Sequence, residues 1–301
     1  MSDPAGPRAR PGRSAGRGAS DAAGGARAAG PRKVAAGDDH AAARARRVNE
    51  ERFTATARTY ASSGVAVRRE ETDALLRLAA PSPADRALDV GCGPAAVLAV
   101  LAPLVRDAVG VDLTAAMLEQ ARARLRGLSS STPFGAVGLV RGAAERLPFR
   151  DGAFTLAVTT YTLHHFGDQR AVVGEMERVV GRGGRVLIAD LVGSDDDRAR
   201  TLQNEIERLR DPAHIEMQSA RGIEALLTAQ GLAVTGRAEG SNPRELEEWL
   251  RLSHTPPDRA AIVRERLLAT LQGDRAGMHA ATDGETVRFV HRWAIVAAHK
   301  P

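Results

Sequence analysis

Leu88-Asp89-Val90-Gly91-Cys92-Gly93-Pro94, followed by Asp112 at the end of the next apolar run, is the stretch whose reading decides the fold. It reads as a strand, a tight glycine turn and a helix start, with an acidic residue one βαβ unit later. Glycines let the backbone turn sharply and approach a ligand closely, because no Cβ stands in the way. The helix that follows points free N–H groups over the turn. An acidic side chain about twenty residues on, at a strand's C-terminal end, takes both hydroxyls of a ribose. The pattern predicts a pocket for a nucleoside-containing cofactor. Asp112 needs a partner or water in any case, since it closes an apolar strand.

Working outward, strands and helices alternate, the mark of a parallel sheet with crossover helices. Strands are expected at 86–90, 108–112, 137–141, 154–159 and 185–191, with helices at 94–101, 115–126 and 168–180. Pro94 is placed at the first helical position, where its missing N–H costs nothing. Gly183-Gly184 is read as the left-handed end of the third helix. Two helices, 49–61 and 66–80, precede the first strand. After residue 191 the rhythm breaks. Helices at 194–211 and 221–230, a strand at 232–237, helices at 243–252 and 258–271, and a last strand at 287–298 follow. Asp211-Pro212 stops the first of these helices.

The charge is uneven. Residues 1–47 hold ten Lys/Arg and four Asp/Glu, leaving 32 basic and 33 acidic groups for the rest, so the formal charge of +5 belongs to the N-terminal segment. That segment, almost entirely Ala, Gly, Arg, Pro, Ser and Asp, holds too little apolar surface to offset the entropy of ordering. It is expected to be a disordered tail. Its deletion is expected to leave stability and activity unchanged. The near-neutral remainder lacks the basic face of a nucleic-acid groove. The single cysteine, Cys92, excludes a disulfide framework, and no metal-ligand cluster stands out. The longest apolar run, 95–105, is about half of the roughly 20 residues a membrane span needs. No secretory signal pattern opens the chain, and a cytoplasmic protein is expected.

Five blocks in order carry a family resemblance. They are Ala87-Leu88-Asp89-Val90-Gly91-Cys92-Gly93, Val109-Gly110-Val111-Asp112, Glu145-Arg146-Leu147-Pro148-Phe149, Leu163-His164-His165-Phe166 and Arg178-Val179-Val180-Gly181-Arg182-Gly183-Gly184. With them, residues 50–301 resemble the class I S-adenosylmethionine-dependent methyltransferases, in the broad group of small-molecule enzymes that includes the ubiquinone/menaquinone type. The resemblance implies a doubly wound, mostly parallel, seven-stranded sheet. Residues 48–301 would form the methyltransferase domain, with a helical lid at 48–82 and substrate-side inserts at 193–218 and 241–283.

It also implies roles. Asp89 would orient the glycine loop, and Gly91 and Gly93, with Cys92 between them, would hold the methionine end of S-adenosylmethionine and of its product S-adenosylhomocysteine. Asp112 would bind the ribose, Leu113 and Met117 would pack on the adenine, and the backbone at Ala143-Ala144 would face its edge. Spacing alone leaves Leu113 and Met117 equally suited to a core role. Thr160 would lie near the sulfonium, and Tyr60 would close over the cofactor. Two positions depart from the family. Ala143 stands where an acidic residue usually accepts from the adenine amino group, a hydrogen bond worth about 0.5–1.5 kcal/mol. Ala95 stands where a third glycine is common.

Methyl transfer from a sulfonium is an in-line displacement, and a base helps when the acceptor must first lose a proton. His164, His165 and His214 are the candidates, and Arg210 and Asp211 the candidate substrate-side residues. Against these roles, the histidines serve equally as buried hydrogen-bonding residues, and Asn204, Glu207 and Asp211 as a solvated helix face with an Arg–Asp cap. The expected function is methylation of a small molecule at O, N or C, in specialised or quinone-like metabolism. The menaquinone-type Tyr-Asp-x-Met-Asn block is replaced by Tyr60-Ala61-Ser62-Ser63-Gly64. A methyltransferase-fold protein with cyclase-like or binding activity is the alternative. RNA methylation is disfavoured, because Thr159-Thr160-Tyr161-Thr162 replaces the usual Asn/Asp-Pro-Pro-aromatic block. A nicotinamide-dependent dehydrogenase is disfavoured by the later motifs. The sequence does not fix the acceptor or the oligomeric state.

Overall fold

The structure, a computed structural model, describes Met1 and residues 36–62, 68–129 and 136–301. Among the described residues eight strands form one sheet, seven of them on its main path: β1 (Arg86–Val90), β2 (Asp107–Asp112), β3 (Ala136–Arg141), β4 (Phe154–Thr160), β5 (Val180–Val192), β6 (Ala233–Glu245) and β8 (Val287–His299). Their order is β3-β2-β1-β4-β5-β8-β6, and a two-residue strand, β7 (Ala281–Thr282), pairs with β8. Strands β1 to β5 are parallel, while β8 runs antiparallel to β5 and β6. The C-terminal ends of β1 to β5 therefore share one edge of the sheet. This is the parallel sheet that the βα alternation predicted, in the doubly wound arrangement that the family resemblance implied.

The helices cover both faces. Leu88 and Val90 of β1 turn to one face, where they join Val172, Val173 and Met176 of α5 (Gln169–Val179) and Ile223 and Leu227 of α7 (Ala220–Ala229). Ala87, on the other face, joins Leu75 of α2 (Arg69–Ala79), Leu98 and Leu101 of α3 (Ala96–Leu101) and Leu125 of α4 (Ala115–Ser129). The alternation follows from the two-residue period of a strand. Side-chain caps fix the helix starts. Asp168 accepts from the Ala171 N–H at 2.9 Å, and Asp196 from the Ala199 N–H at 2.8 Å at the start of α6 (Asp197–Arg210). Such caps contribute about 1 kcal/mol each.

A separate apolar cluster builds the insert. Ile206 of α6, Trp249 and Leu250 of α8 (Leu246–Leu252), Val263 and Leu267 of α9 (Pro257–Leu268) and Phe289 of β8 pack together. Among the described residues, no helix is long and apolar enough to cross a membrane.

The structure moves several boundaries. The expected tail ran to residue 47, but α1 (Ala36–Ser62) begins twelve positions before residue 48, and residues 2–35 lie outside the described residues. The Ala/Arg composition that reads as low complexity also has high helix propensity, and Ala42 and Ala45 give it a face to bury. Pro94 lies in the turn, not in α3, which starts at Ala96 after Ala95 adopts φ +61°. The third-glycine position therefore carries left-handed strain, for which alanine is poorly suited. Gly183, φ +74°, is not a helix cap. Its N–H donates to the Lys300 carbonyl at 2.7 Å, after α5 has ended at Val179. Pro243 to Glu245 extend β6 instead of opening a helix, which an edge strand allows because it tolerates a missing N–H.

Ala42 and Ala45 pack directly on Gly167, where an added Cβ would stand 2.9 Å from each. Arg46 reaches Glu145 at 3.7 Å. Deleting residues 1–47 removes these contacts. At about 0.8 kcal/mol per buried methyl and roughly 2–4 °C per kcal/mol, the melting temperature should fall by several degrees. An unchanged melting temperature in differential scanning calorimetry would contradict this packing.

Candidate active site

A cavity of about 410 Å³ opens where the parallel strands end, lined by the turn after β1, the ends of β2 and β4, helix α1 and the insert. Its first wall follows from the glycine turn. Gly91 and Gly93 have φ of +71° and +50°. A Cβ on Gly91 would stand 2.6 Å from Cγ2 of Thr162, so only glycine fits there. The N–H groups of Gly91 and Cys92 both donate to the Val111 carbonyl, at 2.8 and 2.9 Å. The Gly93 N–H donates to Asp112 Oδ2 at 2.8 Å, and Asp112 Oδ1 accepts from the Thr114 N–H at 2.8 Å. The N–H groups of the turn are therefore spent. The Gly91 carbonyl already takes the Thr162 hydroxyl at 3.2 Å and the Cys92 carbonyl the Ala95 N–H at 2.8 Å. Second carbonyl lone pairs are what the turn has left for the ammonium of an amino acid.

Burial raises the pKa of Asp112, opposed by those N–H donors. Asp89, 2% exposed, is pushed up to about 7 by burial and by the charge of Asp112, with a backbone contact from Leu98 pulling the other way. Cys92 is buried, and burial raises its thiol well above the usual range, so it packs the turn instead of acting as a nucleophile. Leu113 and Met117 line the second wall with Gly142, Ala143, Ala144 and Glu145. Ala143 offers only main chain.

The third wall holds the polar groups. Thr160, the last residue of β4, lines the cavity, and its buried Oγ1 has no hydrogen-bond partner. Tyr161 follows at φ +54° and donates its hydroxyl proton to Glu71. The Nδ1 of His164 lies 2.6 Å from Asp190 Oδ1, while the His164 N–H donates to Asp190 Oδ2 at 3.0 Å. Burial works against the charged form of His164, but Asp190 outweighs it and the pKa is raised. His165 is pushed down to about 4 by burial and by His164, and its Nδ1 donates to the Ala213 carbonyl at 2.9 Å. Tyr60 and Phe53 of α1 form the roof, and Asn49 donates to the His165 carbonyl at 2.6 Å.

The candidates after β5 divide. Arg210 lines the cavity, whereas Asp211 and His214 do not. Asp211 accepts from Arg52 Nε at 3.2 Å and from the Ala213 N–H at 3.0 Å, which ties α1 to the insert. His214 Nε2 lies 2.7 Å from Asn204 Oδ1, and burial lowers its pKa well below the usual value. Asn204, Glu207 and Asp211 are 4%, 1% and 0% exposed, so the polar face of α6 turns inward and is not solvated.

The sequence reading missed Asp190, Phe53, Glu71, Arg244, Trp249 and His291, all at or behind the cavity wall. Asp190 carried a usable signal, a lone acid in the apolar run Val186–Val192, the same argument that singled out Asp112. The others act from elements far apart in the chain. Among the described residues no cluster suited to a metal is present.

The residues fit S-adenosylmethionine. Asp89 and the glycine turn line the cavity with a carboxylate and carbonyl lone pairs suited to a cationic amino-acid end. The Thr160 hydroxyl at the strand end has no partner among the described residues. The chain matches the methyltransferase domain family over residues 88–188. It is 31% identical over 213 residues to the uncharacterized methyltransferase YcgJ of Bacillus subtilis, covering 70% of this chain and 82% of that protein. The crystal structure of YcgJ superposes with a TM-score of 0.72 at 26% identity, covering 77% of this chain and 99% of that one. A demethylmenaquinone methyltransferase of Roseiflexus castenholzii is 37% identical over 120 residues, 39% of this chain and 48% of that protein. The [4+2]-cyclase SpnF, at 18% identity and a TM-score of 0.58 over 85% of this chain and 97% of that one, shares the fold.

Asp89 generates a pH test. A cationic ligand favours its ionised form, so binding below about pH 7 must expel a proton. Affinity for S-adenosylmethionine should rise between pH 6 and pH 8, by at most about tenfold per unit from this group. In Asp89→Asn that part of the rise should vanish, leaving only the ligand's own amino group. Identical calorimetric profiles for the two proteins would contradict the assignment.

Proposed function

Because this chain belongs to the S-adenosylmethionine-dependent methyltransferases, we propose that it methylates a small molecule and that His164, held by Asp190, takes the acceptor's proton. The observation that carries the reading is the buried His164–Asp190 pair beside Thr160 in the wall of the cavity. With Nδ1 donating to Asp190, Nε2 keeps the lone pair. The carboxylate fixes the tautomer and strengthens the base.

S-adenosylmethionine supplies a methyl group already activated by its sulfonium. Asp112 would take the ribose hydroxyls while it holds the Gly93 turn. Leu113 and Met117 would flank the adenine, and the main chain at Ala143-Ala144 would face its edge. The carbonyl of Gly91 and the carboxylate of Asp89 would meet the cationic amino-acid end, and the unpartnered Thr160 hydroxyl would serve the reacting region. Tyr60 and Phe53 exclude water from above. His165, neutral at pH 7, fixes the entry of the insert through Ala213, and His214 positions Asn204. Both are positioning residues in this reading. Holding the acceptor in line with the methyl carbon supplies roughly 7–11 kcal/mol of the barrier reduction.

A base of this kind suits a phenol, an enol or an activated carbon. The quinone-type names among the relatives support an acceptor of that sort in quinone-like or specialised metabolism. The test is S-adenosylhomocysteine formation with catechol, 1,4-naphthohydroquinone and 3,4-dihydroxybenzoate. His164→Gln should lower kcat by about 10²–10⁴ and leave S-adenosylhomocysteine affinity unchanged. In the wild type kcat should rise with pH as His164 loses its proton, above the ordinary histidine range. Undiminished turnover in the variant would remove His164 from the chemistry. A folded protein that binds neither form of the cofactor would favour a non-methylating role on the same fold.

A further inference from the structure

Three guanidinium groups face the same end of the cavity: Arg68 before α2, Arg210 at the end of α6 and Arg244 on β6. Elsewhere most arginines near the core have acids: Arg178 holds Glu175 and Asp151, and Arg185 holds Asp85. Here, among the described residues, only Arg210 has one, Glu207. Among the described residues Arg68 and Arg244 form no ion pair, and the buried Nε of Arg244 has no hydrogen-bond partner. Arg210 donates through Nε to Glu207 Oε2 at 2.8 Å, the only hydrogen bond of its side chain among the described residues. Its guanidinium carbon sits 4.7 Å from the Trp249 ring centroid, which fixes the plane of the group and leaves the terminal nitrogens unbonded.

The neighbouring carboxylates offset the cluster only in part: Glu207 pairs with Arg210, and Glu71 bonds no guanidinium although its charge favours the Arg244 cation. Both oxygens of Glu71 are taken, one by the Tyr161 hydroxyl and one by Asn242 Nδ2 at 2.6 Å. Glu207 lies behind Arg210, with His291 Nε2 3.1 Å from its other oxygen. Glu248 is exposed at the mouth. Burial and the charges of Arg68 and Arg210 press Arg244 below the ordinary arginine range. Arg68 is exposed at the mouth and Arg244 is half-buried, and the desolvated part of a cation is costly without a partner. The planar fork of arginine matches a carboxylate or phosphate with two parallel hydrogen bonds.

We propose that the acceptor carries an oxyanion, a carboxylate or phosphate, and that Arg210 and Arg244 grip it with Arg68 closing from the mouth. The proposal rests on the methyltransferase reading and specifies its substrate class. The strand order separates this subsite from the cofactor's own carboxylate. The glycine turn follows β1, whereas Arg244 stands on β6, four strand spacings away in the order β1-β4-β5-β8-β6. At about 4.8 Å per spacing the anchors lie roughly 19 Å apart before side chains reach inward. Trp249, Leu252 and Phe53 line the stretch between and suit a flat apolar body.

The test is calorimetric titration of the full chain, with and without saturating S-adenosylhomocysteine, using benzoate, phenyl phosphate and the neutral isostere benzamide. At least one oxyanion should bind ten or more times tighter than benzamide, and the comparison of benzoate with phenyl phosphate names the headgroup. Arg244→Gln should erase that preference while S-adenosylhomocysteine affinity stays within twofold. Arg210→Gln should do the same, and Arg244→Gln carries the test if that variant fails to fold. Benzamide binding as tightly as the anions, a preference that survives Arg244→Gln, or no binding of any probe to folded protein would overturn the proposal. So would equal losses for benzoate and S-adenosylhomocysteine in Arg244→Gln, which would assign the arginines to the cofactor's carboxylate. If S-adenosylhomocysteine fails to bind while the oxyanion preference persists, the anion subsite stands and the methyltransferase reading of the site falls.

Discussion

The carboxylate of Asp112 is the tie on which the site depends. One oxygen takes the N–H of Gly93 and the other the N–H of Thr114, each at 2.8 Å. Two turns that leave adjacent strands are thereby fixed to one side chain at the edge of the sheet. The glycine turn then closes against Thr162, with no space for a Cβ on Gly91. Because the N–H groups of Gly91 and Cys92 are spent on Val111, the turn keeps only carbonyl lone pairs for a ligand. A carboxylate with this burial would be costly without its donors. Here they are supplied by the chain geometry that the ligand also needs.

From that tie the cavity runs along the strand ends with a change of character. Toward β2 and β3 it is apolar, with Leu113, Met117, Ala143 and Ala144. At β4 it becomes polar, where Thr160, Tyr161 and the His164–Asp190 pair meet. Beyond β5 it is cationic and aromatic, with Arg210, Arg244 and Trp249. In the proposed reading this order gives a nucleoside region, a reacting region and an acceptor region along one row. Helix α1 roofs the row and is tied down at several points, through Arg46 to Glu145, Asn49 to His165 and Arg52 to Asp211.

The half of the cavity proposed for the cofactor was legible in the sequence because its residues lie within one or two βα units. The spacing of Asp89, Gly91, Gly93 and Asp112 is set by a strand, a turn and a helix, and the chain cannot fold them far apart. The acceptor half was not legible in the same way. Arg244, His291 and Glu71 meet through packing of α2, β6 and β8, which no local period encodes. Pro243 misled the reading of 243–252, since proline suits both a helix start and an edge strand. The run 36–47 misled it too, because a few buried alanine methyls suffice to dock a helix whose composition resembles a tail. His214 and Asp211, read as a candidate base and a candidate substrate-side residue, do not line the cavity; their side chains hold Asn204 and Arg52.

The central claim is that this row of residues binds the methyltransferase cofactor despite an alanine at position 143. Calorimetric titration of the full chain with S-adenosylhomocysteine tests it most directly. The account expects one site per chain with affinity near the micromolar range, about −8 kcal/mol. Absence of binding to folded protein would contradict it.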